Sequence, residues 1–136
     1  MNVKVLLIAC ITLTSGVAGA SAAQTPLDQH PRVRDSFYAI GLADQIRRNC
    51  PQIQPRLVRA YTFIKSLERW ALNSGYTEAD VDALTDNKAA RSALEAEIAR
   101  DLAARGATPG NAAGYCKVGR EEIARGTRAG SFLKGN

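Results

Sequence analysis

Residues that build most catalytic and metal sites are scarce in this sequence. Its 136 residues include one His, one Trp and three Cys, and aromatic residues make up only 6%. His30 falls in a polar stretch that we expect to be mobile, so serine and cysteine hydrolase sites would lack a base on the folded body. Sites with several histidines are excluded, and no Cys-x-x-Cys pair is present for thiol exchange. The sequence therefore predicts neither a metal nor a cofactor.

Long apolar runs are equally scarce, because only residues 5–13 form one. Lys4 precedes this run, and small residues accumulate after it. A basic start, a short apolar core and small residues before a cleavage point are typical of a secretory signal peptide. We predict a signal peptide over residues 1–23, cleaved after Ala22 or Ala23, and a periplasmic or secreted protein. A bilayer span takes about 20 apolar residues, so we expect no transmembrane helix in the mature form.

The three cysteines divide between this segment and the mature chain. Cys10 loosely fits the signature of a lipid-modified cysteine, although the apolar run continues past it. Cys50 and Cys116 remain after cleavage, and an even number of cysteines in a small exported protein predicts one disulfide bond. Closing so long a loop stabilises a domain by about 4 kcal/mol in the chain-entropy model.

Apolar positions recur every three or four residues through most of the mature chain, which is typical of helices. We predict an all-α fold, a compact bundle of four to five helices stapled by one disulfide. A flexible N-terminal lead covers residues 24–32, and a single helical domain covers residues 33–134. Its first helix runs over residues 33–50 and stops at Pro51, which cannot continue a helix.

A second helix is predicted from Pro55 to Ser74, closed by Gly75. One side of this helix carries Leu57, Ala60, Tyr61, Ile64, Leu67 and Ala71. With Phe63, Trp70 and Leu72 the apolar arc widens to about 200° at 100° per residue, so the helix should pack on two sides. We therefore expect this helix at the centre of the bundle.

Three further helices follow. Thr77 caps a short helix with acids in its first turn, and Asp86 caps a longer one that Gly106 ends. Asn111 begins a last helix that runs to about residue 133. One face of this helix carries three glycines: Gly119, Gly126 and Gly130. Because a glycine costs a helix about 1 kcal/mol relative to alanine, we expect a closely packed neighbouring helix there; fraying or kinking of the segment and a partner-docking groove are the alternatives.

The charge pattern limits the kinds of partner. Removing Lys4 with the signal peptide leaves 17 Lys and Arg against 13 Asp and Glu, a net charge of +4. These residues lack the basic stripe and aromatic platforms of nucleic-acid binding, so we predict no nucleic-acid partner and at most weak attraction to anionic surfaces. Our candidate partner surface consists of four residues: Trp70, Arg120, Arg125 and Arg128.

Three carboxylates are candidates for chemistry. Glu68 lies inside the apolar arc of the second helix, where a buried carboxylate with a raised pKa can mark an active site. Pairing with an arginine is the simpler interpretation. Glu121 and Glu122 are adjacent in sequence and therefore diverge on a helix, which makes a convergent acid pair improbable.

Three segments resemble one protein family: IRRNCP at residues 46–51, SGYTEADVDAL at residues 74–84, and YCKVGREEIARGTRAGSFL at residues 115–133. They are similar to small exported alphaproteobacterial proteins of domain-of-unknown-function family 5333. The resemblance implies a compact helical domain and pairing of Cys50 with Cys116, and it implies no activity. Ala129 departs from the family pattern, in which we expect a larger apolar residue.

These observations favour a non-enzymatic interaction or accessory protein of the cell envelope, with another envelope protein as its partner. A periplasmic stress holdase, which would open to expose apolar surface, is the first alternative. An enzyme of unknown type that uses the three carboxylates is the second.

Overall fold

The computed structural model describes residues 23–135. The predicted signal peptide lies outside the described residues except for Ala23. A 3₁₀ turn at Leu27–Gln29 precedes six helices and two short strands in the described part of the chain. These are α1 Pro31–Asn49, β1 Ile53–Pro55, α2 Leu57–Asn73, α3 Glu78–Asp86, α4 Lys88–Ala104, α5 Ala112–Ala124, α6 Arg128–Ser131 and β2 Leu133–Gly135. The predicted all-α class is confirmed.

Helix α1 forms the centre of the fold. It packs against α4, α5, α6 and β1, and its Ile46 is completely buried. Ile98 of α4 and Val118 of α5 are equally inaccessible and belong to the same core. Our prediction that the second helix is central is wrong, because Leu67 and Ala71 are the only buried residues of α2.

The predicted disulfide is confirmed. Cys50 directly follows α1, Cys116 lies near the start of α5, and their Cα atoms are 5.0 Å apart. Both cysteines are buried in the main core. The bond therefore fixes two helices of the core side by side and closes a loop with a sequence separation of 66.

Two short strands interrupt the helical pattern. β1 and β2 pair antiparallel, with Ile53 opposite Gly135 and Pro55 opposite Leu133. Pro55 thus ends a strand instead of opening the second helix, and α2 begins at Leu57. Strands of three residues are too short to show the alternation that predicts a strand from sequence.

The predicted last helix is divided into α5 and α6. Gly126 has a φ of +61° and turns the chain between them. The other two glycines allow close packing, as expected: a Cβ on Gly119 would lie 2.6 Å from Cγ2 of Ile46, and one on Gly130 would lie 2.1 Å from the carbonyl oxygen of Glu122.

The segment predicted as a flexible lead packs against the body of the protein. Leu27 is 4% exposed, and the Tyr76 hydroxyl donates a hydrogen bond to the Thr25 carbonyl at 2.7 Å. The Gln24 side chain donates to the Ser74 carbonyl at 3.0 Å. One buried leucine and two hydrogen bonds to main-chain carbonyls hold this polar stretch in place. Contacts of these kinds produce no periodic pattern in the sequence, so the pattern could not predict them.

Helix caps decide the boundaries around α3. Thr77 and Asp80 form a capping box at its start, as the sequence indicates. The cap of α4 is Asn87, whose side chain accepts a hydrogen bond from the Ala90 amide at 3.0 Å. The prediction of Asp86 as this cap is wrong by one residue, because Asp86 still belongs to α3.

Candidate functional site

Trp70 packs inside an aromatic cluster where the N-terminal segment meets α2. The His30 ring meets it edge-on with centroids 4.8 Å apart, and the Arg32 guanidinium lies 4.6 Å from its ring centroid. His30 also caps α1, because its Nδ1 accepts a hydrogen bond from the Arg32 amide at 3.2 Å. The histidine that we expected to be mobile is therefore fixed on the folded body, and the half-buried Trp70 anchors the N-terminal segment.

Arg128 holds three helices together. Its Nη1 donates a hydrogen bond to the hydroxyl of the buried Ser36 on α1, at 3.1 Å. The guanidinium also lies 5.1 Å from the centroid of the Phe63 ring on α2. Since this cation is engaged on two sides within the chain, its placement indicates a packing role.

The other two predicted surface arginines have partners elsewhere. Arg120 donates to the side-chain oxygen of Gln52 at 3.3 Å, and Arg125 binds the Glu122 carboxylate at 2.7 Å. The four members of the candidate partner surface therefore contact four different sets of residues. Their geometry does not single out a common binding site.

Glu122 is the one buried carboxylate among the described residues, with 4% of the residue exposed. Arg105 and Arg125 each contact its Oε1 at 2.7 Å, and the Thr127 hydroxyl donates to Oε2. Burial by itself raises the pKa of Glu122, but the hydrogen bonds from Thr127 and Arg105, with the charges of Arg105 and Arg125, lower it overall. The charged carboxylate joins α5 to the segments before and after it.

The other two candidate carboxylates also bind cations of the same chain. Glu68 forms an ion pair with Lys65 one helical turn away, where we expected an arginine, and it is about one-third exposed. Glu121 lies 3.2 Å from the same Arg105 guanidinium that Glu122 contacts, and 3.8 Å from Lys117. Arg105 thus bridges the two adjacent carboxylates.

The most exposed apolar surface lies on α2. Four side chains at the N-terminal half of this helix, here called the apolar ridge, point into solvent: Leu57, Val58, Tyr61 and Ile64, with exposed fractions of 68%, 81%, 65% and 44%. Their spacing of one, three and three residues places them along one side of the helix. No other large apolar side chain in residues 23–135 is exposed to a comparable degree. The helical spacing predicts Leu57, Tyr61 and Ile64 as part of the packed apolar arc, whereas Val58 lies outside that prediction.

Positive charge surrounds the apolar ridge. Four cations on or next to α2 form no ion pair within the described residues: Arg56, Arg59, Arg69 and Lys134. The only acidic residue of α2, Glu68, is already bound to Lys65. The neighbourhood of α2 is therefore basic, although most of the chain mixes both signs.

An open groove runs between α2 and β2, beside the apolar ridge. It has a volume of about 770 Å³, and its walls include Arg56, Arg59 and Lys134 over a floor with Phe63. Arg56 is held in place because its Nε donates to the carbonyl of Leu133 at 3.0 Å. We call this feature the basic groove.

A second concavity of about 380 Å³ lies between α1, α3 and α4. Its walls are apolar, and the charged residues at its edge, Asp28, Arg34, Arg91 and Glu97, balance in sign. Arg34 lies 3.7 Å from Glu97, and Arg91 donates to the carbonyl of Thr85 at 2.6 Å. Three of these four charged groups, Arg34, Arg91 and Glu97, are thus occupied by one another or by the main chain.

Two further properties describe residues 23–135. No group of three or more His, Cys, Asp or Glu side chains is placed to hold a metal ion in this part of the chain. None of its helices is both long and apolar enough to cross a membrane.

Comparison with known proteins identifies a family. No curated protein and no solved structure matches the chain. The model of a family of unknown function, DUF5333, matches residues 25–134. This match includes all six described helices and both disulfide cysteines. The chain therefore belongs to the family of unknown function DUF5333.

Proposed function

We propose that the protein is an exported, non-enzymatic interaction module of the cell envelope and that the apolar ridge of α2 is its binding surface. One observation carries the proposal. The largest exposed apolar side chains of the described domain are gathered on two turns of a single helix. Contiguous apolar patches on small folded proteins usually mark sites of association.

The energy of such a contact is substantial for so small a surface. Fully burying one Val, Leu or Ile side chain contributes about 1.5–3 kcal/mol. The ridge residues are between 44% and 81% exposed, so each would contribute about 1–2 kcal/mol on binding. A partner that covers all four residues therefore gains enough to offset part of the cost of association.

The proposal of export is supported by the disulfide between Cys50 and Cys116. Structural disulfides persist in oxidising compartments and are rare in the cytosol. The proposal of a non-enzymatic role is supported by the three candidate carboxylates, each of which already binds a cation. Binding through the ridge needs no opening of the fold, because the ridge is already exposed. This favours an interaction module over a stress holdase that must open to expose apolar surface.

Photocrosslinking in cells tests the binding surface. A photoreactive amino acid replaces Val58 or Tyr61 on the ridge, and Ala96, an exposed residue of α4, serves as the control position. We expect adducts from positions 58 and 61 well above those from position 96. Equal yields at all three positions would contradict a binding role for α2.

A further inference from the structure

Resting on the proposed function, we infer that the partner of α2 is the surface of an anionic phospholipid bilayer. The apolar ridge enters the boundary between headgroups and acyl chains. The basic groove binds the phosphates of the lipid headgroups beside it.

The shape of the ridge suits a bilayer. Leu57, Val58 and Tyr61 protrude from a convex helix, so a protein partner would need a matching apolar cleft with an acidic rim. A bilayer surface deforms around a convex helix and presents anionic groups next to apolar chains. Helices with an apolar side and a basic border bind such interfaces with their axes in the plane, buried by roughly 5–10 Å. Tyr61 has the ring and hydroxyl that favour this depth.

The positive charge near α2 favours an anionic lipid surface as the partner and disfavours a second copy of the chain. Arg56 just before α2, Arg59 and Arg69 on α2 and Lys134 on β2 lack carboxylate partners within residues 23–135. Two copies joined through α2 would bring these cations towards their equivalents, which is repulsive. An anionic surface instead neutralises them, and each Lys or Arg near it contributes about a fivefold increase in binding.

The basic groove gives the headgroup a defined place. Arg56 is oriented by its hydrogen bond to the Leu133 carbonyl, and Arg59 and Lys134 share the groove with it. A phosphate here would receive charge-assisted hydrogen bonds from three cations. Leu57 and Val58 belong to both the groove and the ridge, so one lipid could contact the groove with its phosphate and the ridge with its chains.

Vesicle co-sedimentation with the full chain tests this inference. The probes are phosphatidylcholine vesicles with and without about 30% phosphatidylglycerol, in 0.1 M and 0.5 M NaCl. We expect binding to the anionic vesicles that weakens about tenfold or more in high salt, since screening shortens the range of the charges to a few ångström. Because all variants keep the same N-terminal residues, differences between variants report on α2.

Two double variants separate the parts of the site. Val58→Ser with Tyr61→Ser removes two of the four apolar side chains of the ridge, and Arg59→Glu with Lys134→Glu reverses two charges of the basic groove. Each should weaken binding to anionic vesicles by about tenfold or more. Lys88→Glu with Arg100→Glu makes the same change of net charge at exposed positions of α4 and should weaken binding by less than about threefold. All replaced residues are exposed, and unchanged melting temperatures verify that every variant is folded.

Several results would overturn the inference. These are equal binding to neutral and anionic vesicles, equal losses in the groove and α4 variants, or a dimer in light scattering that the ridge variant abolishes. Photocrosslinks from positions 58 and 61 to a protein instead of a lipid would also overturn it, while leaving the proposed binding surface intact. Absence of any adduct at these positions would remove both proposals together.

Discussion

Replacing Glu122 with glutamine keeps the shape of a buried side chain and removes its charge. In the native protein this carboxylate contacts Arg105 and Arg125 at 2.7 Å and accepts a hydrogen bond from Thr127. The variant leaves both cations in place with a neutral partner. It therefore measures how much the charge of Glu122 contributes to stability.

The expected loss follows from the exposure of the partners. Removing one member of a fully buried ion pair costs about 3–5 kcal/mol. Here the side chains of Arg105 and Arg125 are 28% and 61% exposed, so both regain contact with water. Arg105 also keeps Glu121 at 3.2 Å. A charged hydrogen bond contributes about 1.5–3 kcal/mol, and we expect E122Q to lower the free energy of unfolding at pH 7 by about 2 kcal/mol in urea denaturation.

The pH dependence of this stability loss tests whether the charge of Glu122 causes it. Burial opposes the charged form of Glu122, but the hydrogen bonds and the two arginines hold its folded-state pKa below the ordinary value of 4.5. Its stabilising contribution is therefore present above the unfolded-state pKa and is lost as pH falls through the lower folded-state pKa. The difference in free energy of unfolding between the native protein and E122Q should therefore decrease steadily as pH falls below about 4.5.

Glu121→Gln is the matched control for this experiment. Glu121 is adjacent in sequence and contacts the same arginine, but its side chain is 43% exposed. Ion pairs with this exposure contribute less than about 1 kcal/mol. If E121Q were as costly as E122Q, or if the cost of E122Q stayed constant from pH 7 to pH 3, the argument from buried charge would be refuted.

Three further changes should alter stability by amounts that urea denaturation can resolve. Reducing the bond between Cys50 and Cys116 should cost about 4 kcal/mol, and an unchanged midpoint in the presence of reductant would contradict its structural role. Gly130→Ala should cost more than about 2 kcal/mol, because the new Cβ would lie 2.1 Å from a main-chain oxygen of α5, whereas Gly135→Ala has open space and should change little. Thr77→Ala removes the cap of α3 and should cost about 1 kcal/mol, while a neutral result would show that the capping box is dispensable.

Local signals in the sequence predicted the parts of the fold that depend on local chemistry. The helix before Pro51 and the cap at Thr77 follow from the limits that proline and threonine place on nearby backbone groups. The pairing of Cys50 with Cys116 follows from the two cysteines that remain after the predicted signal peptide is removed from an exported chain. Each of these predictions needs only a few neighbouring residues or the count of one residue type.

Elements that depend on distant contacts were not predictable in this way. β1 is a strand only because residues 133–135 return to pair with it, so Pro55 was mistaken for the start of a helix. Gly126 separates α5 from α6, yet the helical spacing of apolar and small residues from Cys116 to Leu133 predicts one continuous helix. Gln24 packs at the end of α2 through a carbonyl 50 residues away, which no local pattern indicates.

The candidate site was missed because periodicity identifies an apolar side of a helix without identifying what covers it. Leu67 and Ala71 are buried, whereas Leu57 and Tyr61 on the same helix are exposed, and all four belong to one predicted apolar arc. An arc of about 200° is wider than the surface that one packing partner usually covers. The prediction that this helix packs on two sides is then changed only in the identity of one partner. The protein core covers the side with Leu67 and Ala71. On our proposal the lipid surface covers the apolar ridge, and this explains why cations without ion-pair partners lie beside the ridge.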